Sequence, residues 1–191
     1  MEINNTTLIL VAVIFLVIGG LLAVVVTRFQ QTKRLKDRFG PEYDRMVNEV
    51  GDKRQVENEL QARLAHVEQL NIRPLTAEEV NRFALEWQAT QTEFVDEPLA
   101  SLQKADRLLR EVMKVKGYPV EDFEQRAADI SVDYPDLVTD YRGLHMIAVK
   151  EDDDQVSTEE MRQAMVHGRA LFENLVRQET DEEVIHQKEK M

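Results

Sequence analysis

The sequence predicts an all-α protein: a single N-terminal transmembrane helix followed by a compact multi-helix cytoplasmic bundle. Three observations carry that expectation. Residues Leu8 to Val26 are nineteen consecutive residues without a charge or a hydrogen-bonding side chain. Beyond them, apolar residues recur at helical spacing, with no sustained alternation of the kind a half-buried strand shows. Pro41, Pro74, Pro98, Pro119 and Pro135 punctuate that pattern at intervals of 16 to 33 residues, each where a helix can start or stop.

At about 1.5 Å per residue the apolar run spans roughly 28 Å, close to the ~30 Å of a bilayer's hydrocarbon core. Fifteen of its residues are Leu, Ile, Val or Phe, each favouring insertion by roughly 0.3–0.6 kcal/mol near the helix centre. A cleaved secretory signal fits less well, since the head, residues 1–7, carries only Glu2 and the run ends in Val24, Val25 and Val26 without a small-residue cleavage site. Five basic residues, Arg28, Lys33, Arg34, Lys36 and Arg38, follow the run and none precedes it. The positive-inside rule then puts the N-terminus outside and the C-terminal side in the cytoplasm. Asn4 and Asn5 stand in N-x-Thr patterns, but as part of a short polar head beside the membrane they are not read as glycosylation sites. Gly19 and Ala23 form a small-xxx-small pair, which allows a homodimer through the transmembrane helix.

The expected organisation is an extracytoplasmic head (1–7), the transmembrane helix (8–26), a basic juxtamembrane helix (27–40), an acidic helical domain (41–176) and a polar tail (177–191). The chain has no cysteine, which removes disulfides, thiol catalysis, thiolate metal sites and a lipoprotein anchor together. Its charge is sorted: from Phe39 onward there are nineteen basic and thirty-four acidic residues, a net of −15. The collar is expected to cling to anionic lipid at about 1 kcal/mol per residue, while the acidic domain is repelled and held off the membrane. The same charge makes phosphate backbones unfavourable, so nucleic acid is not an expected partner.

Each element has a local justification. Gly40-Pro41 ends the membrane-proximal helix and restarts it, with Glu42 and Asp44 favourable to the new N-terminus. Asp52 is the expected cap of a polar helix whose seam is Val56, Leu60, Leu64 and Val67. Thr76-Ala-Glu-Glu79 has the form of a capping box, opening a helix with Val80, Phe83, Ala84, Trp87 and Phe94 inward. Pro98 starts a helix with Leu99, Leu102, Ala105, Leu109, Val112 and Met113 inward, and Gly117 stops it. A short helix with Phe123, Ala127 and Ile130 is expected to give way to a turn through Ser131 to Tyr134, and a further helix follows Pro135 with Leu137 or Val138, Tyr141, Leu144 and Ala148 inward. Glu151 to Asp154 reads as a solvated linker. Ser157-Thr-Glu-Glu160 is a second capping box, leading a helix with Met161, Met165, Leu171, Phe172 and Leu175 inward and a polar, frayed or disordered end.

Motifs that carry chemistry are sparse. His66, His145, His167 and His186 stand apart, and Glu183-Val-Ile-His186 is a single Glu-x-x-His element where a di-iron bundle needs two. No phosphate-binding glycine loop, nucleophile elbow or EF-hand spacing occurs, and no cofactor or metal is expected. Asp129, Asp133, Asp136 and Asp140 lie close in sequence and read most simply as helix caps and turn residues. The densest stretch, Lys116 to Pro135, offers Tyr118, Phe123, Arg126, Asp129 and Tyr134 as a candidate partner surface, with a tight helical turn around an internal Arg126 ion pair as the competing structural reading.

Arg38-Phe-Gly-Pro-Glu-Tyr-Asp-Arg45, Ile72-Arg-Pro-Leu75, Trp87 to Phe94 and the segment from Gly117-Tyr-Pro to Tyr134-Pro resemble a family of uncharacterised bacterial single-pass membrane proteins. The resemblance spans roughly residues 28 to 175. It implies a bacterial inner-membrane setting and a small cytoplasmic helical domain, and it carries no activity across. The function expected from all this is a non-enzymatic, membrane-tethered adaptor or scaffold that holds a cytoplasmic protein partner at the bilayer. A structural stalk or spacer subunit is the first alternative, and a ligand-binding or enzymatic helical domain the second.

Overall fold

Seven helices and no strand make up the described residues of the computed structural model, which are 5–150 and 156–189; the side chains of 5–13, 17, 24 and 177–189 are outside that description. The helices are α1 (Asn5–Val50), α2 (Lys53–Val67), α3 (Ala77–Glu93), α4 (Pro98–Lys116), α5 (Phe123–Asp133), α6 (Val138–Ala148) and α7 (Thr158–Glu189). The Glu151–Asp154 linker and the side chains of Glu183 and His186 fall outside the described residues.

Local capping chemistry accounts for most boundaries. The Asp52 carboxylate accepts from the Arg54 and Gln55 amides (2.9 and 3.3 Å). Thr76 and Glu79 form a reciprocal capping box, and Ser157 with Glu160 repeats it, each pair satisfying two backbone donors that a helix start leaves open. Gly117, at φ 104°, closes α4 through Tyr118 N–H to the Met113 carbonyl (3.0 Å).

Helix α1 is not straight. Gly40 sits at φ 45°, ψ −122°, Pro41 restarts the helix behind it, and Lys36 and Asp44, four residues on either side, form an ion pair at 3.2 Å. Eight residues of straight helix would separate them by about 12 Å along the axis, so the chain bends sharply here. The bend lets Leu35, Phe39, Tyr43 and Met46 of α1 pack with Val56, Leu60 and Val67 of α2 and Val132 of α5. Residues before 41 are thus part of the folded core, and no core boundary falls at residue 41. The Thr32 hydroxyl, six residues past the apolar run, already donates to Glu57 of α2 (2.7 Å), so the bundle begins close to the end of that run.

The larger apolar cluster surrounds α4, which packs against α3, α6 and α7, and contains Phe83, Trp87, Leu102, Leu109, Met113, Tyr141, Leu144, Leu171 and Leu175. Helix α5 joins the two clusters, with Ile130 in one and Val132 in the other, and every residue from Arg126 to Val132 is buried. It runs on to Asp133 where a turn from Ser131 was expected, because the chain-breaking signal comes only at Pro135, whose ring pushes Tyr134 out of the helical region. Trp87 stacks on Phe172 with ring centroids 4.6 Å apart, so the aromatic stripe is core packing. Ala84, expected inward, is exposed; α3 turns a narrower face to the core, Phe83, Trp87 and Thr90.

By contrast, no described residue covers the apolar part of α1 from Ile14 onward. Phe15, Leu16, Leu21, Val25 and Phe29 are all exposed, and this helix is long and apolar enough to cross a membrane.

Substituting Gly117 by Ala is expected to destabilise the fold by about 2–4 kcal/mol, since the residue must hold a left-handed conformation and its new Cβ would collide with the Asn71 carbonyl. Chemical denaturation followed by the fluorescence of Trp87, the single tryptophan, measures this.

Candidate functional site

Charged groups inside the bundle are concentrated where α1, α2, α5 and α6 meet. Glu42, two residues past the Gly40 bend, has no exposed surface. Arg45 binds it bidentately (2.7 Å for both bonds), Arg63 of α2 donates at 3.1 Å, and Arg142 of α6 lies 3.9 Å away. Arg63 also donates to Ser131 Oγ of α5 (3.2 Å), so one carboxylate ties four helices together. Each arginine has a second acidic partner nearer the surface: Glu49 for Arg45, Glu59 for Arg63 and Glu124 for Arg142. Burial by itself raises the Glu42 pKa, but its hydrogen bond to Arg45, the charges of Arg45 and Arg142 and its hydrogen bond to Arg63 outweigh that and hold it below the usual glutamate value.

The five residues expected to form a partner surface come together, but in the interior. Tyr118, Arg126, Asp129 and Tyr134 are buried and Phe123 is half-buried, so they present no surface to a partner. Nor does Arg126 make the expected ion pair with Glu121, Asp122 or Asp129. Its Nε donates to the Tyr141 hydroxyl (2.6 Å) and its Nη1 to the Val120 carbonyl (2.7 Å), and its guanidinium lies 5.3 Å from the centre of the Phe123 ring. Phe123 in turn stacks on His145 (3.7 Å between ring centroids), and His145 Nδ1 meets Asp106 at 3.0 Å, joining α6 to α4. Burial raises the Tyr141 hydroxyl to about 12, which keeps it protonated beside the guanidinium.

Of the aspartates read as caps and turn residues, Asp136 lies in the turn before α6 as expected, and the other three serve otherwise. Asp129 is buried within α5, accepts from Gln125 Nε2 (2.8 Å) and lies 3.6 Å from His66 Nε2, with its Oδ2 unpaired. Burial pushes its pKa up, and Gln125, His66 and Arg63 only partly offset this. Asp133 accepts from the Tyr118 hydroxyl (2.5 Å) and pairs with Arg38 (3.6 Å); burial followed by Asp133 raises the Tyr118 pKa. Asp140 faces His167 at 3.3 Å. Their side chains are spent on contacts between helices, and among the described residues no group of three or more His, Asp or Glu is placed to hold a metal ion.

The basic collar divides in two. Lys36 pairs with Asp44 and Arg38 with Asp133, within the fold. Arg28, Lys33 and Arg34 are exposed and pair with no acidic group among the described residues. Elsewhere on the bundle, Met146 and Val149 are 65% and 60% exposed along a groove of about 540 Å³ between α6 and α7, also lined by Ile147, Ala164 and His167. Sequence reasoning missed this groove. Met146 and Val149 lie off the helical stripe that marks the core face of α6, which was the available signal.

No family model, curated protein or solved structure matches this chain. Its fold and candidate site define a class only: a helical bundle built directly onto a helix long and apolar enough to cross a membrane.

Two titrations test this interior. Glu42, with its folded-state pKa lowered, contributes stability that is present above the unfolded glutamate value and lost as pH falls through the folded one. Glu42→Ala is expected to cost about 3–5 kcal/mol at neutral pH by leaving arginines buried and unpaired, and Glu42→Gln to flatten the acid limb of stability in a denaturation series against pH. Asp129 has the opposite sign, since a raised folded-state pKa penalises the fold above it and the penalty is relieved on acidification. Asp129→Asn is therefore expected to raise the melting temperature at neutral pH and to lose that advantage in acid.

Proposed function

We infer that the protein is a single-pass membrane adaptor of the bacterial inner membrane, N-terminus outside, whose acidic helical bundle holds a cytoplasmic protein at the bilayer without catalysing a reaction. The observation that carries this is the uncovered apolar length of α1, continuous with a bundle whose own core is closed. An exposed apolar helix of that length is stable only against lipid or another apolar surface. Anchoring the bundle raises the local concentration of whatever it binds.

The partner's surface follows from charge and shape. The open α6–α7 groove is apolar at Met146 and Val149, with Glu160 and Lys150 both on its border, and it belongs to a domain of strongly negative net charge. That combination favours a protein segment with apolar anchors flanked by basic residues. The stalk alternative fits less well because α1 bends at Gly40 and packs back into the bundle, shortening any distance it would set.

Affinity purification of the full chain from membranes in mild detergent is expected to recover a basic cytoplasmic protein in near-stoichiometric amount, and Met146→Asp/Val149→Asp to lose it. Repeated recovery of the chain alone would sink the adaptor reading.

A further inference from the structure

The fold brings to the anchor a segment that the sequence places well away from it. Thr32 lies six residues beyond Val26, about 9 Å along the helix, and its hydroxyl holds Glu57 of α2 beside it (2.7 Å). Farther down, just past the Gly40 bend, Glu42 meets Arg63 of the same helix (3.1 Å). Helix α2 therefore runs alongside α1 with residue 57 nearer the apolar run and residue 63 farther from it. Its first turn comes nearer still. Lys53, four residues before Glu57, stands about 6 Å closer, which puts it within roughly 5 Å of the level at which the apolar run ends. A headgroup layer is about 5–8 Å thick on each side of the hydrocarbon.

The turn that reaches this level is Val50 to Arg54, and all five residues are exposed. Its acidic neighbours are already engaged: Asp52 caps α2, and Glu49 is bound by Arg45 (2.5 Å). Lys53 stands 4.0 Å from Glu57, whose carboxylate also accepts from Thr32 and from Tyr43 (3.1 Å). Arg54 has no acidic partner among the described residues. Val50, 43% exposed, adds an apolar tip.

We propose that the α1–α2 turn is a second membrane contact, in which Lys53 and Arg54 bind headgroup phosphates of anionic lipid on the leaflet that Arg28, Lys33 and Arg34 face, with Val50 at the boundary of the acyl chains. This rests on the reading of α1 as a membrane anchor. The surface that grips the bilayer then differs from the collar read along the chain, since Lys36 and Arg38, though exposed, are paired with Asp44 and Asp133, and Lys53 and Arg54 are added to it. Two such contacts set the tilt of the bundle against the membrane as well as its distance.

The chain has no cysteine, so a single introduced one reports cleanly. The full chain carrying an environment-sensitive fluorophore at Val50→Cys is reconstituted into phosphatidylcholine vesicles with and without phosphatidylglycerol, each doped with nitroxide lipids. Headgroup nitroxide is expected to quench Val50→Cys severalfold more than Met146→Cys on α6, and more in the anionic vesicles. Adding Lys53→Gln/Arg54→Gln is expected to weaken the contact by about fivefold per residue, the equivalent of ~1 kcal/mol each. Quenching at Val50→Cys no greater than at Met146→Cys, or unchanged by the double substitution, overturns the proposal. Ile18→Cys tests the anchor separately: strong quenching there by acyl-chain nitroxide beside an unquenched Val50→Cys leaves the anchor standing and removes the second contact, whereas an unquenched Ile18→Cys removes both.

Discussion

The arrangement of the helices depends on one buried carboxylate. Glu42 has no contact with solvent, and a lone carboxylate in that position would be too costly to keep ionised. Arg45, Arg63 and Arg142 surround it, and their outer acidic partners disperse the excess positive charge. Buried ion networks of this kind add little net stability over a well-packed apolar substitute, because desolvation cancels much of the attraction. What they supply is direction. Apolar faces tolerate a slide or a rotation, whereas a bidentate guanidinium pair at 2.7 Å does not.

Direction matters here because Glu42 follows the Gly40 bend. The two apolar clusters meet through α5 and through Leu70 and Ile72, which pack against both, and the polar contacts add direction to that packing. Arg63 and Arg142 reach Glu42 from α2 and α6, and Arg63 also reaches Ser131. The Tyr118–Asp133–Arg38 chain and the Glu57 carboxylate, shared by Thr32 and Tyr43, brace the same junction from two further sides. The apolar helix and the bundle consequently share one rigid joint. A position on the bundle then has a definite height and bearing relative to the end of the apolar run, which a flexible linker would not give it.

Local chemistry was legible along the chain and long-range electrostatics was not. Asp52, Thr76 with Glu79, Ser157 with Glu160, Gly117 and Gly40-Pro41 each act within a few residues of themselves, so their roles could be read directly. Glu42 looked like one more helix-start acid, since nothing nearby announces that partners will arrive from α2 and α6. Arg126 and Asp129 misled for the same reason. Charged residues at helical spacing ordinarily mark a solvated face, yet α5 is buried all round from Arg126 to Val132, and Arg126 turns to a phenol and a carbonyl instead of its acidic neighbours. Ala84 shows the converse limit: a small apolar residue in register with the core stripe gains too little from burial to rotate a helix.

The other polar pairs inside the bundle also fix the arrangement of its helices. His145 is paired with Asp106 through Nδ1 and its ring is covered by Phe123 at 3.7 Å, so the pair sits in a stack that joins α4, α5 and α6. Arg126 and Tyr141 satisfy one another beside it. Pairs of this kind fix which helix lies against which. Such fixing suits a protein whose open features, the apolar length of α1, the turn at Val50 to Arg54 and the groove at Met146 and Val149, are surfaces that have to keep their positions relative to one another.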